Sequence, residues 1–263
     1  MSGTRPASSR WSLLSVWTLS RSPPAGSSTA WRRPAWSNDN AIRRIAEQWD
    51  HPCGCVGIEE MTEDNIITVN IEGDKVSGDW PRHNEVFIHS EVMRARPDVN
   101  CVIHTHPEYA IAFSSLGKEL SPMSNDGTMF SAGVPIFSET TDLIINQARG
   151  KAVAKALGQG GVVILRNHGI VTAGRTIEEA VFLAIKLERA CRIQMLAEQA
   201  GGPKLFVKEE ELVAKRGRTN RGDSQGNAFS YLVRRWHLRC NCEVPKEYQA
   251  TLNNFDRTGY KAD

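Results

Sequence analysis

Apolar and polar residues alternate along "DNIITVNIEGDKVSG", where Ile67, Val69 and Ile71 recur every second position. That period puts one side of a strand toward a core. The turn Glu72-Gly73-Asp74-Lys75 interrupts it, so the stretch predicts two short strands. The pattern then changes in "NEVFIHSEVMRARPDV", where Val86, Ile88, His89, Val92 and Met93 are spaced as on a helix that Pro97 ends. "VNCVIHTH" returns to a strand, residues 108–116 read as helix, "GVPIF" at 133–137 as a strand, and "TDLIINQARGKAVAKAL" as one or two helices. "GGVVILRNHGIVTAG" is a buried strand run broken at Arg166-Asn167-His168-Gly169 and punctuated by Gly160 and Gly174. Thr176 opens the clearest helix: T-x-x-E with Glu179 is a capping box, and Ile177, Ala180, Val181, Ala184, Ile185 and Leu187 give an apolar face. Beyond residue 200 the charged run "KEEELVAKRGRTNRGD" predicts a solvated helix and loop, with Arg221-Gly222-Asp223 a chance triplet in it. Strands and helices in alternation from about residue 56 predict an α/β domain.

Composition sharpens the boundaries. The 263 residues, 40% of them apolar, suffice for one principal domain. Residues 1–37 stand apart as a basic segment rich in Ser, Arg, Pro and Trp, with no acid before Asp39, and read as disordered or as a targeting segment. Its five arginines account for more than the net charge of +2, so the remainder, at −3, has the balance of an ordinary soluble domain and predicts no nucleic-acid partner. The domain is assigned to 38–240 and a tail to 241–263. No apolar run reaches the roughly 20 residues of a membrane helix, so no membrane partner is expected. A cytoplasmic location follows, or a mitochondrial one if 1–37 is a transit peptide. The six cysteines lack the C-x2-C spacing of a zinc knuckle and read as reduced thiols.

Candidate chemistry centres on His104 and His106, two apart at the end of an apolar strand and therefore on one face of it. His168 closes another apolar run and would join them if the strands are neighbours. Three imidazoles with an open position describe a catalytic metal site. Spacing alone equally allows unrelated core or surface histidines. Glu85, at the start of the helix leading into the first histidine strand, is a candidate acid or base, although alone it is an ordinary first-turn glutamate. His83 and His89 read as supporting or surface residues. Gly158-Gln159-Gly160-Gly161 reads as a turn, and Trp236-His237 with Cys240 and Cys242 as incidental.

The ordered elements "RHNEVFIHSEVMRARPDVNCVIHTHPEYAIAFSSLG" and "VVILRNHGIVTAGRTIEEA", with the preceding "GIEEMTEDNIITVNIEGDKVSG", resemble the class II aldolase/adducin family, fuculose-phosphate aldolase-like, over about residues 57–200. The resemblance implies a three-layer α/β/α fold around a mainly antiparallel sheet, and a homotetramer with its metal site near a subunit interface. It implies that His104, His106 and His168 hold a divalent metal, zinc first and iron, cobalt or manganese as alternatives, and that Glu85 moves protons. The implied activity is that of a lyase: aldol-type cleavage or decarboxylation of a small hydroxy-carbonyl or hydroxy-acid substrate. A C-terminal tyrosine that acts as acid in several members has Tyr231 and Tyr248 as candidates here.

The chain departs from the phosphate-sugar members. It has no G-N-x-S loop in "WDHPCGCVGIEEM", and "GDWPRHNE" replaces their Ser-Ser-Glu, so a substrate without a phosphate handle is expected. Epimerase or non-haem iron oxygenase chemistry on the same site is the alternative. Another is a non-catalytic, adducin-like interaction module, against which the retention of all three histidines and Glu85 argues.

Overall fold

The computed structural model describes residues 19–20, 43–46, 66–219, 222–240, 243 and 246–249. Most of the basic segment 1–37 and of the tail 241–263 therefore lies outside the described residues, as do Cys53, Cys55 and Cys242.

A five-stranded sheet runs in the order β1 (Leu19–Ser20), β5 (Cys101–Thr105), β8 (Gly169–Gly174), β7 (Val162–Leu165), β6 (Ile136–Phe137). All pairings are antiparallel except β6 with β7. The sheet is thus mixed but mainly antiparallel, as expected. The two strands read from alternation are β3 (Ile66–Val69) and β4 (Lys75–Ser77). They do not join this sheet but form a second one of three strands with β2 (Arg43–Ala46) at its edge.

Helices cover both faces of the larger sheet. Val163 and Leu165 of β7 and Val171 and Ala173 of β8 pack with α1 (Val86–Ala95) and α4 (Gln147–Leu157). The alternate residues Val162, Ile164 and Ile170 pack with α2 (Glu108–Ser114) and α5 (Ile177–Gln199). Burial on both faces explains why β7 reads as an unbroken apolar run even though it sits in a mainly antiparallel sheet. Each large aliphatic side chain so enclosed stabilises the fold by about 1.5–3 kcal/mol.

Three local expectations are corrected. "TDLIIN" is not helical: α4 starts at Gln147, capped by the Asn146 side chain, which accepts the Arg149 N–H. The strand at 133–137 shrinks to Ile136–Phe137, the residues in register with Ile164 and Leu165 of β7, while Pro135 adds only its carbonyl, which accepts the Ile164 N–H. The charged run forms α6 (Glu209–Thr219), but its last residues, Gly222 and Asp223, open a further helix that the sequence reading lacked, α7 (Gly222–Cys240), which packs along α5. The short α3 (Asn125–Thr128) completes the helices, followed by a 3-10 turn at Lys246–Tyr248. The Thr176 cap forms on the Glu179 N–H, while the Glu179 carboxylate accepts from Arg175 N–H rather than from Thr176. No described helix is long and apolar enough to cross a membrane.

The "RPD" turn ties the end of α1 to the connection between α4 and β7. Arg96 donates to both carboxylate oxygens of Asp98 at 2.8 and 2.7 Å and to the carbonyls of Gly158 and Gly160, each at 2.9 Å. Hydrogen bonding to Arg96 holds the Asp98 carboxyl down to about 2. Helices α1 and α4 meet at Gly150, where a Cβ would collide with the Phe87 carbonyl oxygen and crowd Glu91. Gly150→Ala is expected to force the helices apart, costing about 1–3 kcal/mol in denaturant unfolding despite alanine's better helix propensity.

Candidate metal centre

Four side chains converge where β5 and the β7–β8 hairpin meet the start of α1. His104 lies in β5 and His106 just beyond it, before Pro107, which caps α2. His168 sits in the turn between β7 and β8, where it donates its backbone N–H to Leu165 at 3.1 Å. Asn167, beside it, is the one described non-glycine residue with positive φ, at 55°. Asparagine tolerates that left-handed conformation better than most residues. Antiparallel pairing of Thr105 with Ile170 brings the turn over the H-x-H arm. The ring centroids of the three histidines lie 4.8 to 5.1 Å apart.

Glu85 occupies the N-cap of α1 without capping it and is 1% exposed. Its backbone N–H donates to His83 Nδ1 at 3.1 Å. Its Oε1 accepts the Ile144 N–H at 2.8 Å and stands 3.5 Å from His168 Nε2, while Oε2 stands 3.3 Å from His104 Nε2. Burial raises the carboxyl, but hydrogen bonds from His104 and His168 and their charge outweigh it and hold the group below the usual carboxylate range.

The donor set suits a metal ion. His104 Nδ1 donates to the Ile170 carbonyl at 3.0 Å, which leaves Nε2 as the ring nitrogen facing inward, where a bound metal would take the place of its proton. That Nε2 lies only 3.1 Å from His106 Nε2. His168 Nε2 is buried and has Glu85 Oε1 3.5 Å away. One donor atom from each of Glu85, His104, His106 and His168 lies within 4.8 Å of the others. Ligand nitrogens around tetrahedral zinc, with bonds of about 2.0–2.1 Å, stand about 3.4 Å apart. The group is therefore compact enough to close on one cation.

The structure thus brings together all four residues expected from the sequence. Tyr231 is 54% exposed on α7, and Tyr248 meets Phe229 of α7 edge-on while its carbonyl accepts from Arg234. What sequence reading missed is the Ile144 N–H, which extended chain ahead of α4 presents to Glu85. The Thr141-Asp142 pair and Asn146 were the available signals for a loop ending in a cap. It also missed Gly169, where a Cβ would lie 2.5 Å from Thr105 O and 2.7 Å from His106 Cδ2.

His89 turns out to be buried behind the centre, its Nδ1 3.2 Å from the Val102 carbonyl. Burial, with the nearby His104 and His83 charges, pushes its pKa down to about 3. The unfolded chain takes up a proton near pH 6.5 that the folded chain refuses until about pH 3. Stability is therefore expected to fall as pH drops through this window, by up to about 1.4 kcal/mol per pH unit from this residue. With chelator present, urea titrations of His89→Gln should show a shallower decline between pH 6 and 4 than the wild type.

A three-layer domain with three histidines and a glutamate at the strand ends of its sheet defines a class, and sequence comparison agrees with it. The model of the Class II Aldolase and Adducin N-terminal domain matches residues 53–195, and the chain belongs to that family. Decarboxylase NovR of Streptomyces niveus is 39% identical over 116 residues, 44% of this chain and 43% of the relative. Beta-adducin of Homo sapiens is 34% identical over 228 residues, 83% of this chain and 30% of the relative. Among solved structures, L-fuculose 1-phosphate aldolase from Glaciozyma antarctica PI12 superposes with a TM-score of 0.66 at 26% identity, covering 88% of this chain and 83% of that one. The chain spans about half or less of the length of the curated relatives it matches.

Proposed function

We propose that this protein is a metal-dependent lyase, cleaving or decarboxylating a small hydroxy-carbonyl or hydroxy-acid substrate. The observation that carries the reading is the convergence of buried Glu85 and His104 with His106 and His168, one donor atom from each lying within 4.8 Å of the others. His104, His106 and His168 would hold the ion. Imidazole suits zinc first and also iron, cobalt and manganese. A divalent ion there supplies Lewis acidity toward substrate oxygens.

The chain's own residues do the rest. Glu85 stays ionised at neutral pH and can take up a proton and return it to carbon or oxygen. The Ile144 N–H steadies one carboxylate oxygen and leaves the other turned to the histidines. Arg82-His83-Asn84 before Glu85 offers no serine pair for a phosphate, which favours a non-phosphorylated substrate, as does the likeness to a decarboxylase. Exposed Tyr231 is the candidate acid for a neighbouring copy's site in a cytoplasmic homo-oligomer.

A second reading, a non-catalytic adducin-like module, is favoured by the length of the beta-adducin match. Elemental mass spectrometry of the purified protein beside His104→Ala, with a sizing column, separates the two. About one metal per chain, lost in the variant, supports the lyase, and carbon dioxide or aldehyde release from a panel of hydroxy acids then identifies the reaction. A folded protein that takes up none of the four metals supports the module.

A further inference from the structure

We infer that Ser114 is a positioning residue for the metal centre: by holding the Asn167 N–H from the end of α2, it sets where His168 stands relative to His106. The inference rests on the metal reading above and goes beyond it, since Ser114 is not a ligand.

Ser114 is 3% exposed. Its hydroxyl donates to the Ile111 carbonyl at 2.6 Å and accepts the Asn167 backbone N–H at 2.8 Å. Both bonds of one buried hydroxyl are thus directed, which fixes its rotamer. The accepted N–H belongs to the one described non-glycine residue of left-handed backbone, adjacent to the ligand His168. A left-handed residue at a hairpin tip needs its surroundings to hold it. Here that hold comes from α2.

The other end of α2 is tied as firmly. It begins directly after His106-Pro107, and its Tyr109 and Ala110 N–H groups donate to the two carboxylate oxygens of Glu188 on α5, at 3.1 and 2.9 Å. Helix α2 is therefore a strut. One end continues from the H-x-H arm and the other braces the N-H-G turn, so its length fixes the spacing of the two arms. Hydrogen bonds that orient ligands from behind change metal affinity about 10- to 100-fold when removed.

The test uses the full-length protein loaded with Co2+, whose visible spectrum reports ligand geometry, and with Zn2+ in competition against a chelator. Ser114→Ala is expected to bind both metals 10- to 100-fold more weakly and to shift the Co2+ bands, with metal-free melting close to wild type. Ser114→Cys, of similar size but a weaker acceptor, should fall between the two and serves if the alanine variant does not fold. Faster amide exchange at Asn167 in either variant supports the same brace. Wild-type affinity and an unchanged Co2+ spectrum in both variants would overturn the role of Ser114 and leave the metal reading standing. A wild-type protein that binds neither metal removes both.

Discussion

Glu85→Gln is expected to abolish most turnover while sparing the metal. The amide can still accept the Ile144 N–H, which Glu85 Oε1 receives at 2.8 Å, so the backbone around α1 has no reason to move. What is lost is basicity. Proton transfer by a positioned side chain contributes about 10²- to 10⁴-fold, and turnover should drop by that range with metal content near wild type. The variant also removes the negative charge that His104 and His168 face at 3.3 and 3.5 Å. Measuring turnover, metal content and melting temperature together separates the cases. Loss of turnover with metal retained assigns Glu85 to proton transfer, whereas unchanged turnover on an identified substrate sinks that assignment.

Gly169→Ala should have the largest effect on the architecture of the centre. A Cβ there would lie 2.5 Å from a backbone oxygen, Thr105 O, and 3.3 Å from His104 Cε1. Backbone cannot swing aside as a flexible side chain can, so β8 must lift from β5. Because Thr105 pairs with Ile170 and Leu165 with Gly169, that shift parts the H-x-H arm from the N-H-G turn. Overpacking typically costs about 1–3 kcal/mol, and the upper end is expected here, together with loss of bound metal. Gly226→Ala is the control: nothing lies within 4 Å of its added Cβ, and helix α7 should gain up to about 1 kcal/mol from alanine. Equal metal binding in wild type and Gly169→Ala would mean that this close approach is unimportant.

The site was legible because its residues come in short local units, each a polar group set in an apolar run. His104 and His106 end one strand, His168 lies between two, and Glu85 starts a helix. What brings them together is not local. The pairing of β5 with β8 joins residues 66 apart, as in the bond from His104 to Ile170. The order of strands, the separate sheet containing β3, and the parallel match of β6 to β7 depend on such pairings and leave little trace in periodicity.

Residues 143–145 misled for a different reason. Three apolar residues before an amphipathic helix look like its first turn, yet Ile144 is fully buried while Leu143 and Ile145 are about half exposed, the alternation of extended chain. The role of Ile144 is carried by its N–H, and a backbone group has no signature in a sequence. Helix α7 was hidden by its start, because Arg221-Gly222-Asp223 has the composition of a turn.

The strut α2 has a bearing on the order of assembly. Its first turn is capped by Glu188, 79 residues downstream of Tyr109, and its last residue grips Asn167, 53 residues downstream. A chain emerging from the ribosome therefore presents His104 and His106 long before it makes the partners that fix them. Such distant closures are slow because the entropy of the intervening loop must be overcome first. A nascent chain ending within α4 would carry two loosely held imidazoles, so a metal centre of the kind proposed would be completed only among the last steps of maturation.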